Sequence, residues 1–175
     1  MKNFKIVVLV FVFALASCIS QEKSSESNTK IVSTYYFIRH AEKDRSDASN
    51  KNPHLLEIGK LRAEHWNEVL KNVKFDAVYS TDFNRTIETA QPTAKKNNLK
   101  LTFYDFKKID ISNFLKTTHG KNVLVVGHSN TTPNFVNSVL GYKKYEEIED
   151  NNNSNLYIVT ISSDSISDVL LYINQ

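Results

Sequence analysis

A chain of 175 residues with one cysteine and a formal charge of +3 is long enough for a single domain, which must be held by core packing because a lone cysteine cannot close an intramolecular disulfide. The same count excludes sulfur-ligated metal sites. A balance of 22 basic to 19 acidic residues leaves no electrostatic footprint for nucleic acid.

The chain begins with a basic Met1-Lys2-Asn3-Phe4-Lys5, runs apolar through 6–16, and closes with Leu15-Ala16-Ser17-Cys18. Such a run is too short to span a bilayer and reads as a secretory signal. Its ending resembles the lipobox of bacterial lipoproteins, which implies cleavage before Cys18 and a lipid on that cysteine. The expected product is exported and membrane-anchored, on the periplasmic or cell-surface side. The expected organisation is a signal peptide over 1–17, the lipidated cysteine with a Ser/Glu/Lys-rich flexible tether over 18–30, and a folded domain over 31–175. Removal of Lys2 and Lys5 takes the formal charge from +3 to +1.

In the folded part, a β-branched and aromatic run from 31 or 34 to 38 stops abruptly at Arg39-His40, followed by Ala41-Glu42-Lys43. This predicts a buried strand that carries a guanidinium and an imidazole to its C-terminal tip, the edge where open α/β sheets bind ligands. A polar loop follows over 44–54. Over 57–70, Ile58, Leu61, Trp66, Val69 and Leu70 recur at three- and four-residue spacings and predict an amphipathic helix, with His65 a core histidine near its apolar face. Residues 75–79 predict a short strand. Ser80, Thr81 and Asp82 can each cap the next helix, from about 83 to 96, with Ile87, Ala90 and Ala94 facing in. Arg85 lies in its first turn.

Residues 99–103 alternate as a strand that ends near Tyr104-Asp105, and 109–118 predict a short helix closed by His119-Gly120. Val123-Leu124-Val125-Val126-Gly127-His128 then repeats the opening theme: an apolar strand buried on both faces with a histidine at its tip. A helix over 131–140 tolerates Pro133 in its first turn and ends at Gly141. A polar loop over 142–153 leads to a hairpin of 156–161 and 166–173. This order predicts a three-layer α/β sandwich, with a mainly parallel central sheet flanked by helices and an antiparallel C-terminal hairpin.

Strand tips thus present Arg39 with His40, Arg85, and His128. Two guanidiniums match the oxygens of a phosphoryl group, and one histidine adds a donor. The other can attack phosphorus, because a neutral imidazole nitrogen is available near pH 7. The scheme calls for no metal and no cofactor.

Three segments, Phe37-Ile38-Arg39-His40-Ala41-Glu42-Lys43, Tyr79 to Ala90 around Arg85, and Val125-Val126-Gly127-His128-Ser129-Asn130, resemble the three motifs of the histidine phosphatase superfamily, the phosphoglycerate mutase-like fold. Leu55-Leu56-Glu57-Ile58-Gly59 resembles that family's helix start, with Leu56 where a threonine is usual. The resemblance implies a phosphomonoesterase with His40 as the phosphorylated nucleophile and Arg39, Arg85 and His128 as the phosphate pocket. It also implies a carboxyl group that protonates the leaving oxygen, for which Asp105 is the first candidate and Glu42 and Asp82 are alternatives. The partner is a small phosphorylated substrate. Only 42 residues separate Arg85 from His128, which leaves no room for the cap insertions of larger members. The site should be open, as in the small bacterial phosphohistidine phosphatases. Export argues against both that protein-directed role and a mutase role, since those substrates are cytoplasmic.

Two other classes compete. A serine hydrolase elbow is imitated by Gly127-His128-Ser129-Asn130-Thr131, but its second glycine is replaced and no histidine follows His128. A non-catalytic lipoprotein that holds a phosphorylated ligand would need the same pocket without an active nucleophile. Oligomeric state is left open.

Overall fold

The structure, a computed structural model, describes residues 31–174. The signal peptide, the lipid-bearing Cys18 and the tether expected from the sequence lie outside the described residues.

The elements follow as β1 (Ser33–Arg39), α1 (Glu57–Val69), β2 (Ala77–Ser80), α2 (Asn84–Lys96), β3 (Leu101–Phe103), α3 (Ile111–Thr117), β4 (Asn122–Gly127), α4 (Thr131–Leu140), β5 (Asn155–Ile161) and β6 (Ile166–Tyr172). They build one six-stranded sheet in the order β3-β2-β4-β1-β5-β6. The first four strands are parallel, while β5 and β6 are antiparallel to their neighbours. This is the mostly parallel sheet flanked by helices, with its C-terminal hairpin, that the sequence predicts.

Because side chains alternate between two covered faces, the middles of the central strands are apolar on both. Tyr35, Phe37, Val123 and Val125 join Phe114 and Phe135 in a core under α3 and α4. Ile38, Leu124 and Val126 point the other way and meet Trp66, Leu70 and Ala90 under α1 and α2. Among the described residues no helix is long and apolar enough to cross a membrane.

The buried face of α1 differs from the expected one. Ile58 and Leu61 are 53% and 62% exposed, and Val69 is also on the outside. The inward stripe is Gly59, Ala63 and Trp66, continued by Leu70. Small residues face in because the helix lies against the chain just after His40. A Cβ on Gly59 would fall 2.2 Å from the carbonyl oxygen of Glu42, closer than packed atoms come. His65 is half-buried rather than in the core, and its Nε2 has no partner.

Helix α2 also starts differently. It begins after Phe83 with no side-chain cap bond, because Ser80 and Thr81 are used elsewhere and Asp82 is exposed. Ala90 and Ala94 are buried as expected, together with Thr86, Thr89 and Thr93, whereas Ile87 is half-buried. The closing glycines Gly120 and Gly141 adopt the expected left-handed conformation, at φ 73° and 81°.

Gly59→Ala should destabilise the fold by about 1–3 kcal/mol through overpacking against rigid backbone. Urea unfolding measures this. An unchanged midpoint would mean that the chain after His40 yields freely.

Candidate active site

Because β1, β2 and β4 are parallel, their C-terminal ends share one edge. Arg39 pairs with Gly127 in register, and the His40 amide donates to the Gly127 carbonyl at 2.9 Å. The next residues, His40 and His128, therefore lie side by side, with ring centroids 5.5 Å apart at 67°. Gly127 is required there, since a Cβ would meet Thr132 Oγ1 at 2.7 Å.

His40 is 3% exposed. Its Nδ1 lies 2.7 Å from the Ala41 carbonyl oxygen, which can only accept. Nδ1 therefore carries the proton, and Nε2 keeps its lone pair. Asn153 Nδ2 donates to the His40 carbonyl at 2.7 Å and fixes the backbone. His128 is held at Nε2 by Thr81 Oγ1, 3.0 Å away, which in turn touches Thr86 Oγ1. The rings of Phe83 and Phe106 pack edge-on to His128, at 5.2 and 5.9 Å. Arg85 lies over the Phe83 ring, its Cζ 4.5 Å from the centroid.

Arg39 is 2% exposed. Its Nη1 donates to the carbonyls of Glu149, Asp150 and Asn152 at 2.9, 3.1 and 3.0 Å. Its Nη2 donates to Asp150 Oδ1 at 2.9 Å. The Arg39 Nε and the Arg85 Nε and Nη1 are buried without an acceptor among the described residues. Buried donors left unpaired are costly, and three on guanidiniums at one sheet edge make a ready anion site.

Beside His40 is a cavity of ≈ 220 Å³ rimmed by Glu42, Lys43, Arg45, Asp150 and Asn153. Glu42 is bound at Oε1 by Arg62 Nε, 2.7 Å away. Asp105 and Asp82 rim a separate depression with Phe83 and Phe106, the two rings on His128. Asp105 is exposed at the end of β3, where its Oδ1 accepts the Lys107 amide at 2.9 Å. The structure thus brings Arg39, His40, Arg85 and His128 to one edge, with Asp105 one aromatic ring away.

Sequence reasoning missed Asn153, Asp150 and the carbonyls of 149–152, read only as a polar loop. It also missed the role of Thr81, read as a helix cap. None of these carries a motif. The loop over 44–54 is anchored to α2: Glu88 pairs with His54 and accepts the Leu55 amide at 2.8 Å, and Asn84 binds Asn52. Among the described residues no cluster of three or more His, Cys, Asp or Glu side chains could hold a metal.

Burial drives the electrostatics. Desolvation, with the charges of Arg39, His128 and Arg85, pushes the His40 imidazole from 6.5 down to about 2. Burial, with Arg85, Lys43 and Arg39, lowers His128 to about 4. Both rings are neutral at pH 7, so each keeps one nitrogen lone pair and one N–H donor.

The family model of the histidine phosphatase superfamily (branch 1) matches residues 35–105, a span that holds Arg39, His40, Arg85 and Asp105 but ends before His128. No curated protein matches the sequence. Among solved structures, the fold is similar to a phosphoglycerate mutase from Bacillus anthracis, at TM-score 0.61 and 18% identity over 81% of this chain and 93% of that one. It is similar also to the protein histidine phosphatase SixA complexed with tungstate, at TM-score 0.57 and 18% identity over 79% and 96%. Bacillus stearothermophilus YhfR aligns at TM-score 0.63 and 12% identity over 81% and 98%. The fold is therefore phosphoglycerate mutase-like.

The depressed histidines set a pH dependence. The unfolded chain binds protons below about pH 6.5 that the folded chain refuses, so stability is full above that value and falls as pH drops toward the folded values. The urea midpoint should decline between pH 7 and about pH 5, where carboxylates are still ionised. His40→Asn with His128→Asn should flatten that slope. An equal slope in the double variant would assign it to other groups.

Proposed function

We propose that this chain is a histidine phosphatase that hydrolyses small phosphate monoesters through a phosphohistidine on His40. The observation that carries the reading is the pairing of a buried imidazole, its Nδ1–H tied to the Ala41 carbonyl, with three guanidinium nitrogens of Arg39 and Arg85 that have no acceptor among the described residues.

In this reading the Nε2 lone pair of His40 attacks phosphorus while Arg39, Arg85 and His128 bind the equatorial oxygens. The bond to the leaving oxygen breaks, and that oxygen takes a proton from the Asp105 carboxyl. The Ala41 carbonyl supports the charge that develops on the ring through Nδ1–H. Water then attacks phosphorus and gives a proton to the Asp105 carboxylate, the Nε2–P bond breaks with its electron pair returning to Nε2, and inorganic phosphate leaves with His40 neutral again. Support for Asp105 comes from its position: β3 adjoins β2 at the same sheet edge, and Asp105 is exposed, its Oδ1 accepting the Lys107 amide. Each guanidinium supplies fixed positive charge where negative charge builds up in the transition state.

Export and anchoring complete the reading. The leader and Leu15-Ala16-Ser17-Cys18 support a lipoprotein held to a membrane through Cys18. That favours small esters outside the cytoplasm over phosphoproteins. The likeness to SixA, a protein histidine phosphatase, keeps dephosphorylation of phosphohistidine on proteins as the second reading.

The purified chain should hydrolyse p-nitrophenyl phosphate with chelator present and lose activity to background as His40→Ala. Arg85→Gln should cost about 10²- to 10³-fold in kcat/KM. Turnover that survives in His40→Ala would sink the phosphohistidine route. A folded wild type that binds phosphate without turnover would leave only a binding protein.

Asp105→Asn should slow an alkyl phosphate by about 10²-fold or more while leaving the p-nitrophenyl ester within about threefold, since nitrophenolate departs without a proton. Equal effects on both esters would remove Asp105 from the acid role. Metabolic labelling with a radiolabelled fatty acid should mark wild type and not Cys18→Ser. Equal labelling of both would end the lipoprotein reading.

A further inference from the structure

The Asp150 carboxylate sits on half of the Arg39 fork. In a guanidinium, Nε–H and one N–H of Nη2 run parallel and form the side edge that grips two oxygens of one anion. On Arg39 this edge is split. Nη2 donates to Asp150 Oδ1 at 2.9 Å, while the neighbouring buried Nε has no acceptor among the described residues. The opposite nitrogen, Nη1, is held by three backbone carbonyls, so the side chain is oriented without help from the Asp150 carboxylate. The same Oδ1 also accepts from Arg45 Nη2 at 2.8 Å. Arg45 is half exposed on the 44–54 loop and the Asp150 side chain is 72% exposed, so this second bond can persist when the first is given up.

Resting on the reading of Arg39 as a phosphate ligand, we propose that Asp150 is an internal competitor for the phosphoryl group and that Arg45 is the positioning residue that draws it aside. An entering phosphoryl group takes Nε and then Nη2, and the Asp150 carboxylate swings wholly onto Arg45. Both residues rim the cavity beside His40, so the exchange takes place where substrate arrives. No covalent bond changes. Arg45 therefore strengthens anion binding by engaging Asp150, without touching the anion.

That indirect action gives the proposal a signature that simple charge deletion lacks. Binding of inorganic phosphate to the purified chain is measured by calorimetry for wild type, Asp150→Asn, Arg45→Met and the double variant, with thermal melts to establish that each is folded. Asp150→Asn should bind phosphate about threefold to tenfold more tightly, and Arg45→Met should bind it more weakly by a similar factor. In the Asp150→Asn background, Arg45→Met should have no effect, because no carboxylate remains to be drawn aside. Weaker binding by Asp150→Asn would overturn the proposal and make Asp150 a support for Arg39. An Arg45→Met loss of equal size in both backgrounds would overturn it too, making Arg45 a direct ligand of the anion. If neither wild type nor Asp150→Asn binds phosphate, the phosphate-site reading fails and the proposal falls with it.

Discussion

Positive charge taken out of water is the constraint on which this structure turns. Arg39 is buried at the tip of a central strand, and bare burial of a guanidinium would be prohibitive. The fold answers with backbone dipoles. Three carbonyls of the loop after α4 converge on one nitrogen, and the one carboxylate that reaches the group is mostly in solvent. Dipoles satisfy hydrogen bonds without cancelling the charge. The edge stays electropositive, and the loop from 149 to 153 is folded back because Arg39 and the His40 carbonyl need its carbonyls and the Asn153 amide.

The same field governs the histidines. Burial first, and then the cations on Arg39 and Arg85, make a further positive charge on the rings unfavourable, so both imidazoles keep a free lone pair well below the pH where a solvent-exposed histidine would lose it. The charges that make this edge favourable for anions also oppose protonation of the rings beside them.

Much of this was legible because charge is conspicuous at the end of an apolar run. Arg39, His40 and His128 stand just after runs of apolar, aromatic or β-branched residues, 34–38 and 123–126, and parallel pairing brings such tips together. The face of α1 was misjudged because Ile58 and Leu61 weigh heavily in an apolar count while Gly59 and Ala63 weigh little. Yet close approach of backbone selects small residues. The 149–153 loop was illegible for a deeper reason: it acts through main-chain carbonyls, which every residue has. Thr81 was misassigned because a hydroxyl after a strand can cap a helix or hold an imidazole, and only the position of His128 decides.

The register that sets Arg39 against Gly127 joins strands that are distant in the chain, with three helices and two strands synthesised between them. Contacts of that kind are slow to form, since a long loop must be closed before they return any free energy. A growing chain therefore displays its Arg-His pair long before any partner for it exists. Arg39, His40, Arg85 and His128 come together at one edge only when β4 docks into the middle of the sheet, so an incomplete chain lacks the site as a whole.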